Sequence, residues 1–215
     1  TSLSDKEFLN GLHLRNVAAT LLVEGTPAAE EFGEMSFSTR GVEGAVVLRM
    51  SRMAVDALIE ERKVELSVDL KPALDKATLK ERIARETAEL GPEAPMADLL
   101  RRLMPKELVM PIARAVGGHP KRLLRQAGPQ MTTDLIDILK DFRIPVSDYR
   151  PFQEAIVTAG GISVDEVNPA TLESRRVRGL YFAGEVLDLD ANTGGYNLQI
   201  AFSTGRLAGQ LKHEA

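Results

Sequence analysis

"VELSVDLKPALDKATLKERIARETAEL", Val64 to Leu90, changes its periodicity part-way along. Up to Leu70 the apolar residues Val64, Leu66, Val68 and Leu70 alternate with Glu65, Ser67 and Asp69, the period of two of a half-buried strand. From about Asp75 the period becomes helical. Thr78 followed by Glu81 reads as a capping box, Leu79, Ile83 and Leu90 share one face, and the following Gly91-Pro92 stops the helix. A strand that passes directly into a capped helix marks the border between a β unit and a helical one.

Upstream of that border the chain reads mainly as strands. Val17, Ala19, Leu21 and Val23 alternate between Leu14 and Glu24, and "FGEMSFST" (32–39) is a further strand candidate. "GAVVLRMSRMAVDALIEER" (44–62) carries Val47, Met50, Ala54, Ala57 and Leu58 at helical spacing. Downstream, Leu99, Leu100 and Leu103 begin another helix after Asp98, which Pro105 ends. Met131, Leu135, Ile138 and Phe142 predict a third helix of this group, with Thr132 as its cap and Met131 and Ile136 as its staple.

Strands then return as "FRIPV" (142–146), "EAIVTAGG" (154–161) and "GLYFAG" (179–184), the last without alternation and so expected to be covered on both faces. A final helix is expected from about Gly195 to Lys212. The fold class expected is therefore mixed, α+β with an α/β portion: a β-barrel-like domain over 1–75 and 142–155, a helical insert over 76–141, and a C-terminal strand–helix segment over 156–215.

Composition narrows the function classes. Of 215 residues, 44% are hydrophobic and 27% charged, which suits a packed globular protein. The net charge of -4, with basic and acidic residues interspersed, gives no footprint for nucleic acid. No apolar run is long enough to span a bilayer and no signal peptide is visible, so a cytoplasmic protein is expected. The absence of cysteine excludes thiol chemistry, and His13, His119 and His213 show no ligand spacing, so no metal site is expected.

"GLYFAGEVLDLDANTGGYNLQIAFSTGRLAG" (179–209) carries the chemistry. A strand that stops at Gly184 and Glu185, followed by Gly194, Gly195 and a helix, sets unpaired backbone N–H groups beside the strand's carboxyl end, where α/β sheets bind ligands. The helix end suits a phosphate or an electron-rich ring, and Glu185 is placed to accept hydrogen bonds from sugar hydroxyls. Gly205 and Gly209 are expected only to permit close helix packing.

The stretch from Ala155 to Gly209 closely resembles the C-terminal segment of the bacterial NAD(P)/FAD-dependent flavoproteins that include the BaiN-like reductases and aminoacetone oxidase. "GLHLRNV", "GEMSFSTRGVEGAVVLRMS" and "VDLKPALD" resemble the middle of the same family. That resemblance implies an FAD-binding Rossmann-like domain interrupted by a barrel-like domain, itself interrupted by a helical one. It makes Gly184 and Glu185 the second FAD motif, brings Thr193, Gly194, Gly195, Tyr196, Asn197, Leu198 and Gln199 to the flavin's pyrimidine edge, and returns the chain near the ring at Gly160 and Gly161. Asp188, Asp190 and Tyr196 are then the polar side chains nearest the flavin, and no catalytic acid or base is assigned.

Two departures stand out. Arg40 replaces the family's histidine and Glu43 precedes Gly44 in "STRGVEGAVV", and no G-x-G-x-x-G turn occurs in the 215 residues. The expectation is a fragment of an FAD-dependent oxidoreductase that moves hydride between NAD(P)H or a small organic substrate and an acceptor. Its N-terminal FAD-binding half would be supplied elsewhere, FAD would be weakly held or absent in this chain alone, and the expectation for the exposed strand edge is either a disordered or repacked C-terminal segment or a homodimer built across it. An alternative from another class is a non-catalytic barrel-and-helix module that covers a substrate site or mediates assembly and binds no FAD. A third is an unrelated phosphate-binding α/β domain that uses only the final helix.

Overall fold

The computed structural model describes residues 9–210. It divides into two compact units, Thr1–Asp148 and Tyr149–Ala215.

The first unit is organised by one antiparallel sheet. Strands β1 (His13–Val23) and β2 (Thr26–Ser38) form a hairpin through Glu24 and Gly25. β3 (Gly41–Glu43) extends it on one side, and β4 (Val64–Asp69) and β5 (Phe142–Val146) on the other, in the order β3-β2-β1-β4-β5. The sheet curls into a half-barrel, as the barrel-like reading of the sequence required. Register shifts at Leu14/Val17 and Leu21/Leu22 place bulges along β1, and bulges sharpen twist and bending. Its inward residues Val17, Ala19 and Leu21 are buried, with Leu66 and Val68 of the neighbouring strand.

β2 begins six residues before the predicted stretch. "TPAAEE" has little intrinsic strand preference, but pairing with β1 supplies it, and β3 reaches only Ser36–Ser38, which leaves the position of Pro27 at an edge where its missing N–H costs nothing. The expected helix forms as α1 (Ala45–Ile59), which packs on the sheet and buries Val46, Met50 and Ala57.

Between β4 and β5 every regular element is helical: α2 (Lys76–Leu90), α3 (Met96–Leu103), α4 (Lys106–Ala115) and α5 (Pro129–Lys140). Their faces and those of the sheet share one continuous core, in which Leu79, Leu99, Leu100, Leu108 and Leu135 have no exposed surface.

Four details differ from the sequence reading. The cap of α2 is Asp75, whose carboxylate accepts from the Thr78 N–H at 2.7 Å, so Thr78 is a first-turn residue and no Thr78–Glu81 box forms. Asp98 lies inside the first turn of α3, which starts three residues earlier than expected, at Met96. The cap of α5 is Gly128, with Pro129 in the first turn; Thr132 is internal, and Phe142 belongs to β5, so its apparent place in the helical stripe came from reading across a helix–strand junction. Helix α4 was not anticipated. Pro105, expected only to end the preceding helix, serves as the cap of α4, and burial of Leu108, Val109, Ile112 and Ala113 outweighs the backbone bond lost at Pro111.

In the second unit only the last helix keeps the predicted regularity, as α6 (Tyr196–Gly209); the expected end at Lys212 and His213 both lie outside the described residues. Residues 154–161 and 179–184 are not strands. The first makes a 3-10 turn, Phe152–Glu154, and then irregular backbone; the second makes a single bridge, Tyr181 to Glu173, and its residues are half-buried or exposed. A strand requires a ladder partner along several residues, and each stretch finds at most one. Gly205 and Gly209, expected to permit close packing, face open space among the described residues, with nothing within 4 Å of an added Cβ. No helix among the described residues is long and apolar enough to cross a membrane.

The cap of α2 yields a pH-dependent expectation. The Thr78 backbone N–H, then its hydroxyl, hold the Asp75 carboxyl below the usual carboxylate range. A carboxyl lowered on folding stabilises above its unfolded pKa, and that contribution fades as pH falls through the folded value. Asp75→Ala should therefore lower the thermal midpoint at neutral pH, with a difference from wild type that shrinks on acidification below about pH 4. Circular-dichroism melts of both chains at several pH values check this; a pH-independent difference would remove the charge from the account.

Candidate functional site

The second unit rests on a small core of Val167, Leu172 and Leu187, against which Ile162, Phe182, Leu207 and Ala208 pack. So few apolar contacts cannot hold the chain alone, and backbone bonds at glycines complete the arrangement. Ile162 and Leu187 form a parallel bridge in which the Ile162 N–H donates to the Val186 carbonyl and the Asp188 N–H to the Ile162 carbonyl, each at 2.8 Å. The chain approaches there through Gly161, at φ +142°, where a Cβ would stand 2.5 Å from the Val186 oxygen. Only glycine fits that approach.

This bridge brings the 160–162 segment, with Gly160 and Gly161, beside the turn that holds Gly184 and Glu185. That turn is a 3-10 segment, Gly184–Val186, rather than the tip of a buried strand. It is fastened to the middle of α6: the Gly184 N–H donates to the Thr204 hydroxyl at 2.9 Å, and the hydroxyl donates to the Ile200 carbonyl at 2.7 Å. Glu185 is exposed beside it.

The start of α6 is built separately. Gly195 caps it in the left-handed conformation at φ +91°, following Gly194 at φ +135°, and no side chain caps the helix. Its first amides therefore lack intrahelical partners, as at any helix N-terminus. The approach loop is clamped by Asn197, whose side-chain oxygen accepts from the Ala191 N–H and whose amide donates to the Ala191 carbonyl, both at 2.8 Å. Thr193 is half-buried, Tyr196 and Leu198 are exposed, and Gln199 donates from its side chain to Ser203 at 2.9 Å.

The structure thus joins Gly160, Gly161, Gly184 and Glu185 in one place and sets Thr193 to Gln199 in another. Thr204 and Tyr196 are separated along the helix by about 12 Å, at 1.5 Å per residue. The Gly184 N–H and the Asn197 side chain are engaged within the chain and serve as supports; the exposed Glu185 carboxylate and the first-turn amides are the groups that face outward. Sequence reading missed Asn197 and Thr204 as the residues that fasten this segment. An Asn at the second helical position after paired glycines, able to reach back and tie a loop, was the available signal for the first; nothing in the pattern distinguishes Thr204.

In the first unit the divergent "STRGVEG" stretch closes on itself. The Ser38 hydroxyl donates to Glu43 at 2.7 Å and accepts from the Arg40 N–H at 3.2 Å, so the two departing residues bracket one turn.

Residues 2–157 match the model of the HI0933-like protein barrel and H2TH domain. The chain belongs to the HI0933-like family. Its barrel and helical portions are the half-barrel sheet and the α2–α5 helices, and the family resemblance drawn from the sequence holds. The chain is 33% identical over 186 residues to the 3-dehydro-bile acid delta(4,6)-reductase of Clostridium scindens, which covers 86% of this chain and 45% of that protein. It is 32% identical over 168 residues to the ribosomal RNA dihydrouridine synthase of Escherichia coli, covering 78% and 39%, and 28% identical over 173 residues to that of Haemophilus influenzae, covering 80% and 40%. The chain therefore spans less than half the length of these curated relatives.

Gly161→Ala tests the joint of the second unit. The added methyl has no room against the Val186 carbonyl, so the Ile162–Leu187 bridge should open. Amide exchange at Ile162 and Asp188 should accelerate by an order of magnitude or more, about the loss of one to two backbone bonds, while amides of the β1–β4 ladder keep their protection. Unchanged protection at both amides would show that the bridge does not need glycine.

Proposed function

We propose that this chain is the barrel, helical and flavin-edge portion of an FAD-dependent reductase. The observation that carries the reading is the open N-terminus of α6 after Gly194 and Gly195, held in the same small unit as the Gly161–Gly184–Glu185 joint. Donors at the helix end and an acceptor at Glu185 lie far enough apart that one small anion does not meet both, whereas an extended cofactor does. A side-chain-free approach at Gly194 and Gly195 admits a flat ring to the backbone.

In this reading the first-turn amides of Tyr196 to Leu198 hold the electron-rich pyrimidine edge through the positive end of the helix dipole, with the Gln199 amide already donating to the Gly195 carbonyl at 3.0 Å. Glu185 accepts from hydroxyls of the ribityl or sugar portion. Asn197 and Thr204 keep those groups in place, and Gly160 and Gly161 bring the 156–162 segment alongside. Bound there, FAD would supply hydride transfer between NAD(P)H, or a small organic substrate, and an acceptor. The strand and glycine turn for its ADP half would come from a further segment of the length the relatives possess.

The relatives support reduction as the direction of the reaction. One is named for removing the 4,6 unsaturation of a 3-dehydro-bile acid and the others for forming dihydrouridine, and both names describe saturation of carbon–carbon double bonds conjugated to a carbonyl. We extend that class, an electron-poor conjugated alkene, to this chain's substrate. A module that binds no flavin is the competing reading, and one titration separates the two.

FAD added to the purified 215-residue chain should bind with micromolar or weaker affinity, because the pyrophosphate and adenosine contacts are not among those described. When the chain is joined to the remaining length of a relative, the flavin should be retained, and Glu185→Ala should weaken retention by about tenfold or more. Flavin fluorescence and the visible absorption of the purified protein report both. No flavin in the joined protein would favour the non-catalytic module; unchanged affinity in the variant would remove Glu185 from the site.

A further inference from the structure

The first unit contains an open groove of about 710 Å³ in which the turn of residues 70–74 faces Asn16, Phe32 and Arg82. Phe32 lies opposite Ala18 in the β1–β2 ladder, on the face away from the buried Val17 and Ala19, and is 60% exposed. Asn16 lies in the bulge of β1 between Leu14 and Val17. The lining contains two cations, Lys71 and Arg82, and no carboxylate, in a chain whose net charge is -4.

Neither cation forms an ion pair among the described residues. Lys71 is half-buried, and its ammonium has no ion pair or hydrogen bond among the described residues. Burial, then the charge of Arg82, pulls its pKa below the usual lysine range. Arg82 uses one N–H on the Arg102 carbonyl at 3.2 Å, while the carboxylate one turn on, Glu86, is taken by Arg102 at 2.8 Å. An ammonium and a guanidinium that repel each other in partly desolvated surroundings raise the energy of the empty groove, and an anion between them would lower it.

The turn that presents Lys71 is fixed on both sides of the residue. The Lys71 N–H donates to Asp69 at 2.8 Å, and the Lys140 ammonium holds the carbonyls of Lys71 at 3.2 Å and Leu74 at 2.7 Å while pairing with Asp69 at 2.5 Å. Asp69 is thereby neutralised and does not compete for Lys71. A pre-set backbone, with no partner for the Lys71 ammonium among the described residues, costs a ligand little ordering entropy.

We propose that this groove binds an amphipathic organic anion, with its carboxylate or phosphate head between Lys71 and Arg82 and its apolar body along Phe32, Leu70 and Leu74. The volume falls in the range of small-molecule sites. Two cations beside an apolar floor suit a single anionic head, whereas a nucleic-acid surface needs a row of phosphate contacts. The site lies wholly in the sheet-and-helix unit and is independent of the flavin reading.

The probe is dansyl-labelled undecanoate, titrated into the 215-residue chain and followed by its fluorescence. Saturable one-to-one binding is expected, displaced by decanoate or decyl phosphate but not by methyl decanoate; the stronger competitor identifies the head group. Lys71→Met and Arg82→Met should each weaken binding about tenfold, with Lys71→Arg close to wild type. Asn16→Asp adds a carboxylate at an exposed position outside the core and should weaken binding even if a cation variant unfolds, which melts will show. Amide shifts on titration should centre on residues 70–74 and Asn16. Equal affinity across these variants, displacement by the methyl ester, shifts elsewhere, or stoichiometric displacement by a short RNA would each overturn the proposal.

Discussion

One ammonium secures the joint between sheet and helices. The helical segment leaves the sheet after β4 and re-enters as β5, so its ends must meet where Val68 stands opposite Phe142. At that junction Lys140, the last residue of α5, pairs with Asp69 and takes the carbonyls of Lys71 and Leu74, while the Leu70 N–H donates to the Leu139 carbonyl at 2.8 Å. Both side chains are mostly shielded, 17% and 21% exposed, so the pair works in a medium where an unpaired partner would be costly. The exit turn, the re-entry strand and the groove beside Lys71 all depend on this one contact set.

The two units reach order by different means. The first has a continuous core from Leu9 to Phe142, and its helices are held by burial: α3 and α4 are short, and α4 contains a proline, yet each buries five residues. The second has a core of three buried residues, and its order comes from hydrogen bonds at glycine-bearing turns and from the Asn197 clamp. Its last helix has no buried residue, and Leu198 and Phe202 lie exposed on one side. A segment shaped this way positions backbone groups more than it builds a core, which is what the proposed cofactor role requires of it.

Periodicity determined much of the first unit. Alternation at Val64–Leu70 and Val17–Val23 placed β4 and β1, the helical stripes placed α1, α2 and α5, and the paired glycines placed the start of α6, because these signals arise from neighbours within one turn or one pleat. Tertiary structure decided what local patterns could not encode. Pairing across a hairpin made "TPAAEE" a strand, burial overrode the proline inside α4, and the want of a ladder left "GLYFAG" with a single bridge. The glycines and Glu185 were legible as candidates from residue type alone, but their grouping was not, since the contact between Gly161 and Val186 and the hold of Thr204 on Gly184 join residues about 20 or more positions apart. That Lys71 has no ion pair among the described residues was equally hidden: a lysine's charge is written in the chain, but whether an acid meets it depends on where Lys140 and Asp69 fall in space.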